Sequence, residues 1–193
     1  MAYFPFMINL DDKKCLVAGG GKVAYRKALQ MSEFGAKVFV VAPDICDDLR
    51  KLEKQQDNVC LFQKKMEPSD IEDMDVVVMA TNDNAVNSYY AALCKEKKIL
   101  VNVVDVKKDC GFYFPAIVRQ GEVVVGVSTG GCSPLLASHI KQEIQSHIRP
   151  DYGKIADEME DNREAALENI EDDKLRKQYL KEELMKKLRE RDL

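Results

Sequence analysis

"CLVAGGGKVAYRKA", Cys15 to Ala28, sets an apolar run against three consecutive glycines and then a segment of helical character. The apolar run reads as a buried strand. Ala24, Ala28, Met31 and Phe34 recur at three- and four-residue steps, which predicts a helix ended by Gly35, a residue tolerant of left-handed φ. Gly19-Gly20-Gly21-Lys22-Val23-Ala24 fits the pattern G-x-G-x-x-A. In that pattern Gly19 allows a tight turn, Gly21 lets backbone approach a pyrophosphate, and the small Ala24 lets helix and strand pack closely. Phosphates then rest on the N–H groups that open the helix, at Lys22 and Val23. A plain tight turn accounts for the same glycines, so the remaining chain must supply the context: the motif needs a strand before it, a helix after it and a βαβ unit around it.

That context follows directly. "KVFVVAP" reads as a second buried strand ended by a proline, "DDLRKLEKQQ" as a short polar helix and "NVCLFQK" as a third strand. "DVVVMAT" is a fourth strand, bounded by Asp75 and the turn residues Asn82-Asp83-Asn84; "AVNSYYAALCKEKK" is a helix and "ILVNVVD" a fifth strand. Continuous apolar strands alternating with helices predict parallel pairing with both sheet faces covered, an open, doubly wound, Rossmann-type α/β sheet. Such sheets bind ligands at the carboxyl ends of their strands. On that edge Thr81 and Asn82 are candidates for the nicotinamide side, while Asn82-Asp83 serves equally well as a helix cap. The second strand ends Val41-Ala42-Pro43-Asp44, so the acid that usually takes the ribose hydroxyls is displaced past a proline. Either Asp44 or the backbone at Ala42 and Pro43 meets the ribose. The absence of an arginine there favours NAD over NADP.

The rhythm then changes. "GFYFPAIVRQGEVVVGVST" is two strand-like runs joined at Arg119-Gln120-Gly121, a hairpin signal. In "GGCSPLLASHIKQEIQSHI" Ser133 is an N-cap, Pro134 the first helical position, and Leu136, Ile140 and Ile144 an apolar stripe. From Arg149-Pro150 onward the chain reads as two charged helices divided at Asp172-Asp173. Ile155, Met159, Ala166 and Ile170 stripe one; Leu175, Tyr179, Leu184 and Leu188 stripe the other. The expected organisation is therefore residues 1–112 as an NAD-binding domain, 113–149 as a small α+β dimerisation subdomain and 150–193 as a charged helical segment.

Composition excludes several classes. The 193 residues carry 29 basic and 33 acidic side chains, and residues 151–193 alone hold ten basic and 14 acidic ones, so all the net charge of −4 lies in the tail. No basic excess marks a nucleic-acid binder. No apolar run approaches a membrane span, and "MAYFPFMINLDDKK" is too soon charged for a signal peptide. A cytoplasmic protein is expected. The six cysteines form no C-x-x-C pair; they read as packed thiols in a reducing compartment, several within apolar strands. No metal ligands are expected, His139 and His147 on one helix included.

The fifth strand ends in the run N-V-V-D, Asn102 to Asp105, and farther on Ser128-Thr129-Gly130-Gly131 leads into the helix capped by Ser133. A glycine turn before a helix offers N–H groups to an anion, or simply connects strand and helix. In order along the chain, G-G-G-x-V-A-x-R-K, V-V-A-P, A-T-N-D, N-V-V-D, F-x-F-P-A-I-V and V-S-T-G-G-x-S-P resemble the bifunctional precorrin-2 dehydrogenase/sirohydrochlorin ferrochelatase family, and the N-terminal half of multifunctional siroheme synthase. The resemblance covers about residues 1–150. It implies an interlocked homodimer that oxidises precorrin-2 to sirohydrochlorin with NAD+, followed in many members by insertion of Fe2+. It implies Asp105 as the key aspartate and Ser128 near the tetrapyrrole site; Asn102, Thr129, Gly130 and Gly131 are further candidates for substrate binding. Lys107, Lys108, Arg119 and Lys141 are candidate partners for the substrate's carboxylates, or plain surface cations. No methyltransferase domain is expected after Leu193, so precorrin-2 would come from another protein. Two other readings stay open: an NAD(H)-sensing module without chemistry, and a chelatase that keeps the glycines only as structure.

Overall fold

A computed structural model describes residues 4–190 of the chain; residues 1–3 and 191–193, the ends of the first and last expected segments, lie outside the described residues. The chain divides into two compact units, one ending at Tyr113 and the other beginning at Phe114.

In the first unit, strands β1 (Lys14–Ala18), β2 (Lys37–Val41), β3 (Val59–Phe62), β4 (Val76–Met79) and β5 (Leu100–Val103) form one parallel sheet in the order β3-β2-β1-β4-β5. Helices α1 (Lys22–Ser32), α2 (Asp47–Gln55) and α3 (Asn84–Glu96) make three of the four crossovers, and a 3-10 turn at Pro68–Ile71 lies in the one from β3 to β4. Register is direct, Ala18 facing Val41 on one side and Met79 on the other. The strands read as unbroken apolar runs because both faces are covered. Leu16, Val77, Met79, Val101 and Val103 pack with Tyr90, Ala91 and Cys94 of α3. Ala24, Ala28 and Met31 of α1 are buried as their spacing predicts. Gly35 ends that segment at φ +82.

Polar pins hold the two edges. At the amino edge the Asp75 carboxylate accepts from Lys14 N–H at 2.9 Å and from Lys13 Nζ at 3.0 Å, which holds its carboxyl below the usual range. Asp83 rather than Asn82 caps α3, its Oδ1 accepting from Ala85 and Val86 N–H at 2.9 and 3.1 Å.

In the second unit, β6 (Ala116–Gln120) and β7 (Val123–Val127) form an antiparallel hairpin. Arg119 and Gln120 belong to β6, so the turn is Gly121-Glu122, with Gly121 at φ +58. Helix α4 (Pro134–His147) begins at Ser133, whose Oγ accepts from Leu136 N–H at 3.2 Å, and packs on the hairpin. Its buried residue is Ala137, whereas Leu136 is half exposed and Ile140 and Ile144 are only half-buried, so the expected stripe is not interior to a single chain. Helices α5 (Tyr152–Asn169) and α6 (Asp173–Glu190) follow. Asp172 caps α6 through Lys174 and Leu175 N–H, at 2.7 and 3.0 Å. Lys187 ties α6 to Glu158 of α5 at 2.8 Å, and Arg149 reaches Leu188 O at 3.1 Å. Gly153 lets α5 meet the hairpin, since a Cβ there would lie 2.6 Å from Gln120 O.

All six cysteines are free thiols. The expectation that several line apolar strands is corrected in part. Cys15 is buried in β1 and its thiol is pushed up to about 12 by burial, but Cys60 of β3 is exposed and Cys94 is buried in a helix. Among the described residues no helix is long and apolar enough to cross a membrane.

Candidate functional site

Parallel strands bring all five carboxyl ends to one edge, and the strand order reverses direction between β1 and β4. That is where a crevice opens in sheets of this kind. The glycine turn follows β1 at this point. Its three glycines answer to three different demands. A Cβ on Gly19, at φ +128, would lie 2.3 Å from Ala80 O at the end of β4. A Cβ on Gly20 would lie 1.8 Å from Asp44 O. Gly19 N–H donates to Val41 O at 3.0 Å, and Cys46 N–H to Gly20 O at 2.9 Å. The turn is thus wedged between the ends of β4 and β2. Gly20, which the pattern leaves unspecified, is the most tightly enclosed of the three.

Gly21 differs: apart from its own chain neighbours, no atom lies within 4 Å of its Cβ position. As N-cap of α1 it supplies no side-chain cap, so the opening N–H groups at Lys22 and Val23 face the space beside the turn. An open, side-chain-free helix start beside two backbone-locked glycines fits a pyrophosphate, both sterically and through the helix dipole. Lys22 is exposed and Val23 half-buried. Ala42 is buried, its N–H donating to Phe62 O at 3.2 Å, whereas Pro43 and Asp44 are exposed beside the turn.

After β4 the Thr81 hydroxyl donates to Asn87 Oδ1 at 2.7 Å and accepts from Asp83 N–H at 3.2 Å. Asn87, 2% exposed, donates back to Thr81 O at 3.0 Å. This closed exchange fixes the loop that borders the crevice. It leaves the exposed Asn82 as the freer of the two candidates there. Asn87 was not legible as a site residue, because it lies within an apolar helical pattern.

After β5, Asp105 is exposed at φ +61, a backbone region that non-glycine residues rarely adopt. Val104 N–H donates to Met79 O at 3.0 Å, so this turn continues the ladder from β4. Asp105 and the glycine turn therefore share one edge of one sheet. Asn102, a candidate for the tetrapyrrole site, lies within β5 itself. It is buried, and its amide donates to Phe112 O at 2.9 Å, tying down the chain beyond the turn. Lys107 and Lys108 are exposed in the short 3-10 turn that follows Asp105.

Ser128, Thr129, Gly130 and Gly131 belong to the second unit and form one loop between β7 and α4. Gly130 and Gly131 are both left-handed, at φ +61 and +74. Gly130 N–H donates to Ser128 Oγ at 3.1 Å, so an N–H expected to meet an anion is taken by the loop's own serine. The Thr129 hydroxyl donates to Ser133 O at 3.0 Å and accepts from Ser133 N–H at 3.1 Å. Arg119 Nε is bonded to Gly121 O at 3.1 Å. His139 and His147 are exposed on α4, and among the described residues no group of three His, Cys, Asp or Glu side chains is arranged to hold a metal ion.

Comparison with known proteins agrees with this geometry. Residues 6–116 match the family described as "Putative NAD(P)-binding", and residues 124–147 match "Sirohaem biosynthesis protein central". The siroheme synthase of Thioalkalivibrio sulfidiphilus is 37% identical over 179 residues, covering 93% of this chain and 36% of that protein. The siroheme synthase of Saccharophagus degradans is 36% identical, covering 93% of this chain and 39% of that one. The chain thus spans little more than a third of the length of these relatives. The solved structure titled "SirC, precorrin-2 dehydrogenase" superposes with a TM-score of 0.74 at 28% identity, covering 93% of this chain and 88% of that one. The glycine turn, the β5 aspartate and the T-G-G-x-S-P helix start thus occur together in a chain that belongs to the putative NAD(P)-binding family.

Proposed function

We propose that this chain is a cytoplasmic NAD-dependent dehydrogenase that oxidises precorrin-2 to sirohydrochlorin, acts as a homodimer, and can also serve Fe2+ insertion. The observation that carries the reading is the pairing, on one sheet edge, of an open glycine-lined helix start with a left-handed, exposed aspartate. A module that only senses the dinucleotide needs no carboxylate there.

In this reading Gly19, Gly21 and the N–H groups of Lys22 and Val23 bind the pyrophosphate. Ala42, Pro43 and Asp44 border the ribose, and Thr81 and Asn82 the nicotinamide. NAD+, when bound, supplies the hydride acceptor. Oxidation removes one hydride and one proton from the macrocycle, and the Asp105 carboxylate takes the proton. The same carboxylate is available to accept pyrrole protons as Fe2+ enters, the macrocycle itself providing four nitrogens to the metal. Ser128, Thr129, Gly130 and Gly131 contact the substrate's carboxylates. The exposed Leu135 and Leu136 of α4 support a role for residues 113–149 in dimerisation.

The test is anaerobic turnover of precorrin-2 with NAD+, following NADH and the tetrapyrrole spectrum together, then adding Fe2+. One NADH per sirohydrochlorin is expected, with a further protein-dependent change on adding iron. Asp105→Asn, which keeps a side chain tolerant of left-handed φ, should lower turnover by roughly 10²–10⁴-fold. Protein that binds NAD+ yet forms no NADH would leave the sensing module as the better account.

A further inference from the structure

We propose that Cys110 is a positioning residue for Asp105: its thiol holds closed the Val103–Val106 turn on which the carboxylate is presented. The inference rests on the reading of Asp105 as the proton acceptor. A left-handed aspartate persists only where its surroundings over-determine it. Val106 N–H closes the four-residue turn on Val103 O at 3.3 Å, a long bond for an amide and carbonyl. The Cys110 sulfur meets both ends of that turn. It lies 3.2 Å from Val103 O and 3.4 Å from Val106 O, and it accepts from Val103 N–H at 3.3 Å. One thiol proton serves one carbonyl at a time, and the sulfur lone pairs serve the amide.

Cys110 is itself held in place on both sides. Asn102 Nδ2 donates to Phe112 O at 2.9 Å and approaches Cys110 Sγ at 3.6 Å, and Gly111 N–H donates to Val101 O at 2.7 Å. Burial raises the thiol's titration, so it keeps its proton and its donor role at neutral pH. The far side of the loop has a separate anchor, Asp109, which accepts from Ser88 Oγ at 3.2 Å and lies 3.6 Å from Lys95 Nζ. Removing the thiol should therefore loosen the Asp105 turn without unfolding the loop.

The experiment uses the full chain with Cys110→Ala and Cys110→Ser, each alone and combined with Asp105→Asn. In Cys110→Ala the Val106 amide should exchange with solvent about tenfold faster, while amides of β1 and β4 keep their rates. Turnover of precorrin-2 should fall about tenfold through kcat, with KM for NAD+ unchanged, as expected when a reacting group is misplaced by a fraction of an ångström. Cys110→Ser, still able to donate and accept, should recover most of both losses. In the Asp105→Asn background Cys110→Ala should add no further loss of rate. Unchanged Val106 exchange, or the same loss of kcat with and without the Asp105 carboxylate, overturns the proposal alone. Full activity of Asp105→Asn by itself overturns the base assignment, and the proposal with it.

Discussion

The two units bury their apolar residues to very different extents. In the first, Leu16, Val17, Val40, Val77, Val78, Val101 and Val103 are all nearly or fully removed from solvent, and every one lies in the sheet. In the second, the buried apolar residues among those described are Val118, Ala137, Ile155 and Ala166, while Leu135 is 85% exposed and Leu167 and Leu175 more than half exposed. The first unit has a core that its own helices cover. The second buries few apolar residues and presents several leucines outside, the pattern of a segment completed by another surface. Stability in the two halves therefore rests on different things: close packing in one, and in the other cover that a second copy would supply under the proposed homodimer.

The largest effect expected in the first unit comes from Gly20. Gly20→Ala places a Cβ against backbone, 1.8 Å from Asp44 O, where nothing flexible can yield. A loss of about 3 kcal/mol is expected, the upper part of the range for overpacking, read as a lower denaturation midpoint. Gly21→Ala makes the contrast, since its Cβ meets open space and its φ of −94° is ordinary. It should leave the midpoint within about 0.5 kcal/mol of the parent, as for exposed substitutions generally, yet weaken NAD+ binding tenfold or more by filling the phosphate approach. Equal destabilisation by both substitutions would mean the turn is only structural.

The second unit should behave in the opposite way. Leu135→Ser combined with Leu136→Ser removes exposed apolar surface, so it should cost the isolated chain less than about 0.5 kcal/mol. If α4 is covered by a second copy, the same pair should convert dimer to monomer in sedimentation experiments at micromolar concentration. A dimer unaffected by both changes would exclude this face from the interface.

This contrast also explains what the sequence could disclose. The central strands β1 and β4 were legible because a strand buried on both faces is an unbroken apolar run, and the glycine turn because it falls between such a run and a helical period. The demand on Gly20 was not legible, for it comes from Asp44 O, a backbone atom 24 residues away in sequence whose approach exists only once β2 is paired. Asn87 and Asn102 were hidden for a related reason. Each is a polar side chain inside an apolar pattern, and its hydrogen bonds to Thr81 and Phe112 depend on loops that periodicity does not describe. On α4 the spacing of Leu136, Ile140 and Ile144 marks a stripe, of which the structure leaves Leu136 half exposed and the two isoleucines half-buried. Spacing cannot say whether the same chain covers that face.

The smallest effect returns to the first unit and tests how complete its core is. Lys27 lies on α1 one residue before the buried Ala28, and its ammonium titrates at about 8, pushed down chiefly by burial and further by Arg26, with Cys110 acting in the opposite sense. A lysine whose folded pKa is depressed holds fewer protons than the unfolded chain between that value and its ordinary 10.5. Stability must then rise with pH across that window, from about 8 to 10.5, because the burden of the buried charge is present below it and relieved above it. Lys27→Met keeps the apolar stem and removes the charge. It should stabilise the protein at pH 7, by no more than about 1 kcal/mol because contact with solvent screens the penalty, and the advantage should shrink toward pH 10. Denaturation midpoints of parent and variant at the two pH values give the comparison directly. A gap that widens with pH would mean that the ammonium is stabilised where it lies, and that this side of the first unit depends on a charge rather than on apolar packing alone.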